Sequence, residues 1–193
     1  VSFGATTPSY DLEKAIDQEY PVEGVTEESV REVLPRFLGE QEQIAPLFSA
    51  KSVDGVRAYE LARKQYREAH KEKTDVMTDF DHTVAETLNK QIINISGMEL
   101  ISFFPNGKES GPELSDEGLR PNPRINVVDT SALHLPLAMI RIKCSKGTYI
   151  RALARDLGEA LGSGAHLNSL ERTKSGGFTV GNCLSVNEVI SVL

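Results

Sequence analysis

The feature that most constrains the fold is a strand followed at once by an amphipathic helix, with a short polar turn between them. Residues 135–145 (LPLAMIRIKCS) are apolar and partly β-branched, which predicts a strand. Residues 148–162 (TYIRALARDLGEALG) repeat apolar side chains at helical spacing up to Gly162, which predicts a helix with one apolar stripe. Because the turn between them (CSKGTYIR, 144–151) can direct polar side chains into a cleft, it is the first candidate for a functional site.

Local signals predict further elements on both sides of this unit. Thr26 is expected to cap a helix that Gly39 ends, and Pro35 to shorten or kink it. Residues 92–104 predict a strand with a possible bulge at Gly97. The other predictions are the end of a strand (1–5), a polar connector (6–24), an Asp54-Gly55 turn followed by a helix, a long loop (105–131), a strand after a Gly176-Gly177 turn, and a short last helix capped by Ser185 and Glu188.

Interspersed strands, helices and hairpin signals predict an α+β fold with a mixed, largely antiparallel sheet flanked by helices. The chain has 193 residues, which suits one domain spanning 1–193. No stretch is long and apolar enough for a membrane span, and two cysteines are too few for a disulfide framework, so we expect a cytoplasmic protein. The net charge of −7 disfavours non-specific binding to nucleic acid but leaves room for a local basic patch.

Two residues of the turn carry the sharpest chemical signal. Arg151 could bind a carboxylate or phosphate and keep a catalytic carboxylate ionised, and Tyr149 could stack on a base. The alternative is a surface arginine and a half-buried core tyrosine. Cys144 could pair with His166 as a nucleophile and its base, but a small buried packing residue is the better interpretation of this cysteine.

Two basic clusters are candidates for RNA contact. Interleaved cations and aromatic side chains suit RNA backbone and bases, although an amphipathic helix with solvated cations explains the first cluster equally well. The four histidines have no metal-ligand spacing, so no metal site is expected. The first cluster contains Phe48, Lys51, Arg57, Tyr59 and Arg63, and the second is Arg172-Thr173-Lys174.

Three segments in order resemble one family. Residues 141–178 (RIKCSKGTYIRALARDLGEALGSGAHLNSLERTKSGGF) resemble the C-terminal catalytic motif of the TruB family, the tRNA pseudouridine-55 synthases. Residues 45–64 resemble its central segment, and residues 3–13 (FGATTPSYDLE) the stretch after its Lys-x-Tyr motif. The resemblance covers most of the chain.

The resemblance implies the pseudouridine synthase catalytic-domain fold and an isomerase acting on the T-arm of tRNA. Members flip one T-loop uridine into the active site, break its N-glycosidic bond, rotate the base and rejoin it through C5. They use an essential aspartate and no metal or cofactor. By position, Tyr149 corresponds to the tyrosine beside that aspartate, Arg151 to the arginine that pairs with it, and Leu170 to a leucine of the base pocket. Arg172 and Lys174 would lie near the RNA backbone, and Arg57 and Tyr59 are further candidates for binding the substrate.

The sequence also departs from the family. The Gly-Thr-Leu-Asp-Pro motif that carries the aspartate is not among these residues, and no Lys-x-Tyr motif precedes residues 3–13, where the family has it. We therefore expect a fragment lacking the N-terminal part, inactive alone, with no room for a PUA domain and able to self-associate through exposed strand edges. Asp129 and Asp156 lie in sequence contexts that do not suit a replacement for the family's catalytic aspartate. Lys51 stands one place earlier than in the family, which turns its side chain to the other face of an extended segment. A non-catalytic RNA-binding or tRNA-chaperone module remains the alternative, and a structural or interaction protein the third possibility.

Overall fold

The computed structural model describes residues 1–46, 90–107, 129–185 and 188–190, together with the backbone of 52–53 and 56–57. Within these ranges eleven strands and two α-helices are numbered in chain order. The strands are β1 (Ser2–Phe3), β2 (Ala5–Thr6), β3 (Gln18–Glu19), β4 (Gly39–Gln43), β5 (Ser52–Val53), β6 (Val56–Arg57), β7 (Gln91–Phe104), β8 (Leu137–Cys144), β9 (Ala165–His166), β10 (Lys174–Ser175) and β11 (Phe178–Thr179). The helices are α1 (Glu27–Val33) and α2 (Ile150–Ala160), with 3₁₀ turns at Leu34–Phe37, Ser131–Leu133 and Val180–Asn182.

One five-stranded sheet organises these elements, in the order β4-β7-β8-β1-β9. Neighbouring strands of this sheet are antiparallel. The short pairs β2–β3, β5–β6 and β10–β11 are antiparallel as well. The α+β prediction is therefore confirmed. A parallel component is limited, in the part of the chain that the structure describes, to an isolated bridge between Asp11 and Leu167.

The core lies between one face of the sheet and the two helices. Along β7 burial alternates, so Ile93 and Ile95 are buried whereas Ile92 and Asn94 face solvent. Twelve of the buried apolar side chains form one cluster. Its members include Phe3, Val30, Val33, Ile93, Ile95, Leu100, Leu153 and Leu157.

The predicted ends and irregularities of the elements are confirmed where the structure describes them. Thr26 accepts from the backbone N–H of Ser29 and forms a capping box with it at the start of α1. Pro35 ends the α-helical part, and the chain continues as a 3₁₀ turn. The pairing of β7 with β8 shifts register between Ile95 and Gly97, as expected for a bulge. Gly162, with φ of +66°, follows the end of α2.

The C-terminal signals are also confirmed. The Gly176-Gly177 turn joins β10 to β11. Ser185 and Glu188 exchange two side chain–backbone hydrogen bonds, and residues 188–190 are helical. The predicted helix after Gly55, most of the long loop (105–131) and, apart from the backbone of Arg57, the first basic cluster fall outside the described residues.

Candidate active site

The turn between β8 and α2 is held by hydrogen bonds from several directions. Ser145 donates its N–H to the carbonyl of Asn94 at 2.8 Å and accepts at its Oγ from the N–H of Asn94 at 2.9 Å. Thr148 Oγ1 closes the turn on the carbonyl of Ser145 at 3.0 Å. Gly147 has φ of +90°, a conformation that a side chain would strain. The turn therefore has one defined conformation, and Tyr149 follows it as the N-cap of α2.

Arg151, in the first turn of α2, reaches across the molecule to the connector between β2 and β3. Its Nη1 lies 3.1 Å from Asp11 Oδ2 and 3.2 Å from the carbonyl oxygen of Ser9. The two charged side chains are 24% and 25% exposed, so the pair is partly shielded from solvent screening. These two contacts thus fix the position of the guanidinium beside the junction of β8 and α2.

Asp11 is itself oriented by its own connector. Its Oδ1 accepts from Ser9 Oγ at 2.7 Å and from the N–H of Glu13 at 3.0 Å, which leaves Oδ2 for the arginine. Thr7 Oγ1 donates to the carbonyl of Asp11 at 2.7 Å, and both Thr7 and Ser9 are fully buried. This carboxylate is therefore positioned in advance, at little further entropic cost.

The connector is also tied to the C-terminal half of the chain. Leu167 donates its N–H to the carbonyl of Tyr10 at 2.9 Å. The guanidinium of Arg155 lies over the ring of Tyr10, 5.3 Å from its centroid. Burial raises the pKa of Tyr10. Arg155, one turn after Arg151, therefore serves to fasten the connector to α2.

The two aspartates considered as replacements for the missing one have structural roles. Asp156 pairs with Arg155 at 2.6 Å, and burial raises the pKa of this carboxyl although Arg155 opposes the shift. Asp129 accepts from the N–H of Ser131 beside a 3₁₀ turn, and this hydrogen bond lowers its pKa.

The prediction that Cys144 is a buried packing residue is wrong. Cys144 is exposed, because it is the last residue of β8, where the chain leaves the sheet. His166 cannot be its base, because His166 is fully buried in β9 and aligns with Ser2, which aligns in turn with Leu137 at the opposite end of β8 from Cys144. Leu137 and Cys144 are seven positions apart along the strand, about 23 Å.

The remaining predicted site residues are exposed to solvent or are not fully described by the structure. Leu170 is 60% exposed, and Arg172, just before β10, and Lys174, the first residue of β10, are exposed. Arg57 lies in β6, where the backbone alone is described, and Tyr59 lies outside the described residues. The structure therefore places Tyr149 and Arg151 at one junction and leaves Leu170, Arg172 and Lys174 on the surface that follows β9.

Asp11 and Ser9 are the site residues that sequence reasoning missed. The segment from 6 to 24 reads as a polar connector, and nothing local marks Asp11 as the partner of an arginine 140 residues away. The one available signal was its position inside the segment 3–13 that carries the resemblance. In the described part of the chain, no cluster of His, Cys, Asp or Glu could hold a metal ion. Among the same residues, no helix has the length and apolar character needed to cross a bilayer.

Two family models match the chain. Residues 1–102 match the TruB family pseudouridylate synthase (N terminal domain), and residues 151–193 match the tRNA pseudouridylate synthase B C-terminal domain. The first match contains Asp11 and the second begins at Arg151, so the two ends of the ion pair lie in separately matched segments.

Curated proteins with the name tRNA pseudouridine synthase B are similar along nearly the whole chain. The one from Parabacteroides distasonis is 42% identical over 189 residues, which is 98% of this chain and 60% of that protein. The one from Bacteroides thetaiotaomicron is 44% identical over 94% of this chain and 57% of that protein. The one from Deinococcus radiodurans is 34% identical over 98% of this chain and 56% of that protein. The chain thus spans about 60% of the length of the relatives it matches.

Proposed function

Because the chain belongs to the TruB family of pseudouridylate synthases, with 102 of its 193 residues in the N-terminal family model, we propose that it is part of the catalytic domain of a tRNA pseudouridine synthase. The proposed substrate is the T-loop uridine at position 55. The bond from C1′ to N1 breaks, the base rotates, C1′ bonds to C5, and the proton leaving C5 is balanced by one taken up at N1. No cofactor enters this balance.

The observation that carries the proposal is the pairing of Arg151 with Asp11 and Ser9. An arginine held by one carboxylate and one carbonyl has a defined position and orientation. We propose that this guanidinium also pairs with the nucleophilic aspartate of the family motif, which this sequence does not contain. A guanidinium between two carboxylates favours the ionised form of the nucleophile.

The other residues bind the substrate in this proposal. Tyr149 and Leu170 line the pocket for the flipped base, since an aromatic ring and an apolar side chain suit the faces of uracil. Arg172 and Lys174 contact phosphates next to the pocket. Arg57 and Tyr59 are further candidates for RNA contact in this proposal.

Release of tritium from tRNA labelled at C5 of uridine tests the proposal, because the label leaves as the new bond forms. We expect no release by the 193-residue chain alone, and release when the assayed polypeptide also carries the Gly-Thr-Leu-Asp-Pro segment. In that longer polypeptide, Arg151→Ala should lower kcat by at least about 100-fold with a much smaller change in the Kd for tRNA.

Arg141→Ala is the matched control. Arg141 forms an exposed ion pair with Glu99 at 3.1 Å on the sheet, so its loss should leave kcat within about 2-fold of the parent. Equal losses of turnover and tRNA affinity in Arg151→Ala would make Arg151 a plain phosphate contact. Tight tRNA binding without tritium release, even with the aspartate segment present, would favour the non-catalytic RNA-binding module.

A further inference from the structure

A buried glutamine on the sheet holds the backbone of Tyr149. Gln43, the last residue of β4, is 2% exposed. Its Oε1 accepts from the N–H of Tyr149 at 2.8 Å, and its Nε2 donates to the carbonyl of Tyr149 at 3.1 Å. The amide orientation follows from the partners, because an N–H requires an acceptor and a carbonyl requires a donor.

This contact provides a hydrogen-bond acceptor for a backbone N–H at the start of α2. The first N–H groups of a helix have no acceptor inside it, and Tyr149, the N-cap, makes no capping hydrogen bond through its own side chain. Gln43 supplies the acceptor from a strand 106 residues earlier in the chain. A side chain at the end of a strand therefore fixes where α2 begins.

A second glutamine holds the same turn. Gln91, directly opposite Gln43 in the β4–β7 pairing, donates its Nε2 to the carbonyl of Gly147 at 2.6 Å. Side chains at directly opposite positions share one face of the sheet. Two neighbouring glutamines thus hold the turn at alternate residues, Gly147 and Tyr149, just before Arg151.

We propose that Gln43 is a positioning residue for the reaction: it sets the backbone of Tyr149 and the start of α2, and through them the direction in which Arg151 meets its carboxylate partners. Gln43 does not touch substrate in this assignment. The inference rests on the proposed function, since it concerns how that site is held. A shift of about 1 Å in a catalytic group can lower the rate about 100-fold, so the start of α2 is a sensitive place.

The first test compares two glutamines of the same strand in the catalytically competent longer polypeptide. Gln43→Met keeps a similar volume but removes both hydrogen bonds to Tyr149, and we expect kcat to fall at least about 10-fold with KM within about 3-fold. Gln41→Met is the control, because Gln41 Nε2 donates to the carbonyl of Phe37 at 2.6 Å, away from the junction. A kcat for Gln43→Met equal to that of the control would overturn the proposal.

A second variant separates positioning from general loss of fold. In Gln43→Glu the ionised carboxylate can accept from the N–H of Tyr149 but cannot donate to its carbonyl, whereas the protonated acid can do both. Burial raises the pKa of such a carboxyl. We therefore expect the ratio of variant to parent kcat to rise as the pH falls from about 8 to about 6, at a constant folded fraction. A ratio that stays flat over this range would count against the proposal.

Amide hydrogen exchange distinguishes failure of this proposal from failure of the proposed function. If the longer polypeptide without substitutions releases no tritium, the proposed function is wrong. The positioning role of Gln43 is then still tested by the amide exchange of Tyr149. The N–H of Tyr149 should then exchange at least about 10-fold faster in Gln43→Met than in Gln41→Met. Equal exchange rates would overturn the claim whatever the activity.

Discussion

His166 combines full burial with a titratable ring. Its Nδ1 lies 2.9 Å from the carbonyl of Ala5 and so carries the proton, while its Nε2 is buried and has no hydrogen-bond partner among the residues that the structure describes. Burial lowers the pKa of His166 from its usual 6.5, against smaller opposing effects that include Asp11 and Asp17. The folded state thus holds a neutral imidazole that the unfolded chain would protonate more readily.

This difference predicts a loss of stability in mild acid. Below pH 6.5 the unfolded state binds more protons than the folded state at this site, so the free energy of unfolding decreases as the pH falls towards the lowered folded pKa. His166→Asn keeps a donor for Ala5 but does not titrate, and should flatten this part of the profile. Urea unfolding of both proteins between about pH 7 and about pH 5 measures the difference. Parallel profiles would exclude His166 as the cause.

The site residues differ in how far sequence alone could locate them. Tyr149 and Arg151 stand at a strand-to-helix junction that local patterns define, so both could be predicted as site candidates. Asp11 and Gln43 meet this junction from 140 and 106 residues away, and no spacing rule connects such positions. Free cysteines are usually buried, which favours a packing role for Cys144, but its place at the exposed end of β8 overrides that tendency.

At the scale of elements, α2 packs against β9 through Gly158. A Cβ at this position would overlap backbone atoms of Gly164 and Ala165, and Ser163 donates its N–H to the Gly158 carbonyl at 3.0 Å. Backbone cannot move aside as a flexible side chain can. The glycine is therefore needed for close approach, although it weakens the helix itself.

Gly158→Ala should consequently destabilise the fold despite alanine's higher helix propensity. We expect a loss of about 2 kcal/mol or more, measured by urea unfolding, because overpacking at a tight contact exceeds the propensity gain of about 1 kcal/mol. Gly24→Ala is the control, since a Cβ there has no atom within 4 Å. Stabilisation by Gly158→Ala would show that the helix can shift away from β9 at little cost.

Elements with complete local signals could be predicted, and short ones could not. The Thr26 cap, the Gly162 stop and the Gly176-Gly177 turn each depend on residues adjacent in sequence. β2 and β3 contain two residues each, too few for a periodic pattern, and they form because the connector folds back on itself. The sheet order also lay beyond local reasoning, because it depends on pairing between distant strands.

For the whole molecule, the proposed function requires an acidic chain to bind an anionic partner, which needs a local basic surface. The net charge is −7, yet Arg172, just before β10, and Lys174, the first residue of β10, are exposed. The proposed function therefore predicts that these two side chains neutralise phosphates of tRNA and so displace counterions from it. Self-association through sheet edges remains a prediction at this scale.

The salt dependence of tRNA binding tests this surface. Replacing Arg172 and Lys174 together by glutamine should reduce the slope of log K against log salt by roughly 1.4, about 0.7 for each phosphate of single-stranded RNA that is no longer neutralised. Arg31→Gln is the control, because Arg31 is paired with Glu27 on the exposed side of α1. A slope that falls equally in both variants would show a general charge effect rather than a defined RNA contact.

The long separation between Asp11 and Arg151 has a consequence for how the molecule is made. At roughly 5–20 residues per second, a ribosome adds Arg151 on the order of ten seconds after Asp11, since 140 positions separate them. During that interval the connector has neither its arginine nor the N–H of Leu167. The ion pair therefore forms only after Arg151 has been added, and a nascent chain that ends before Arg151 cannot close it.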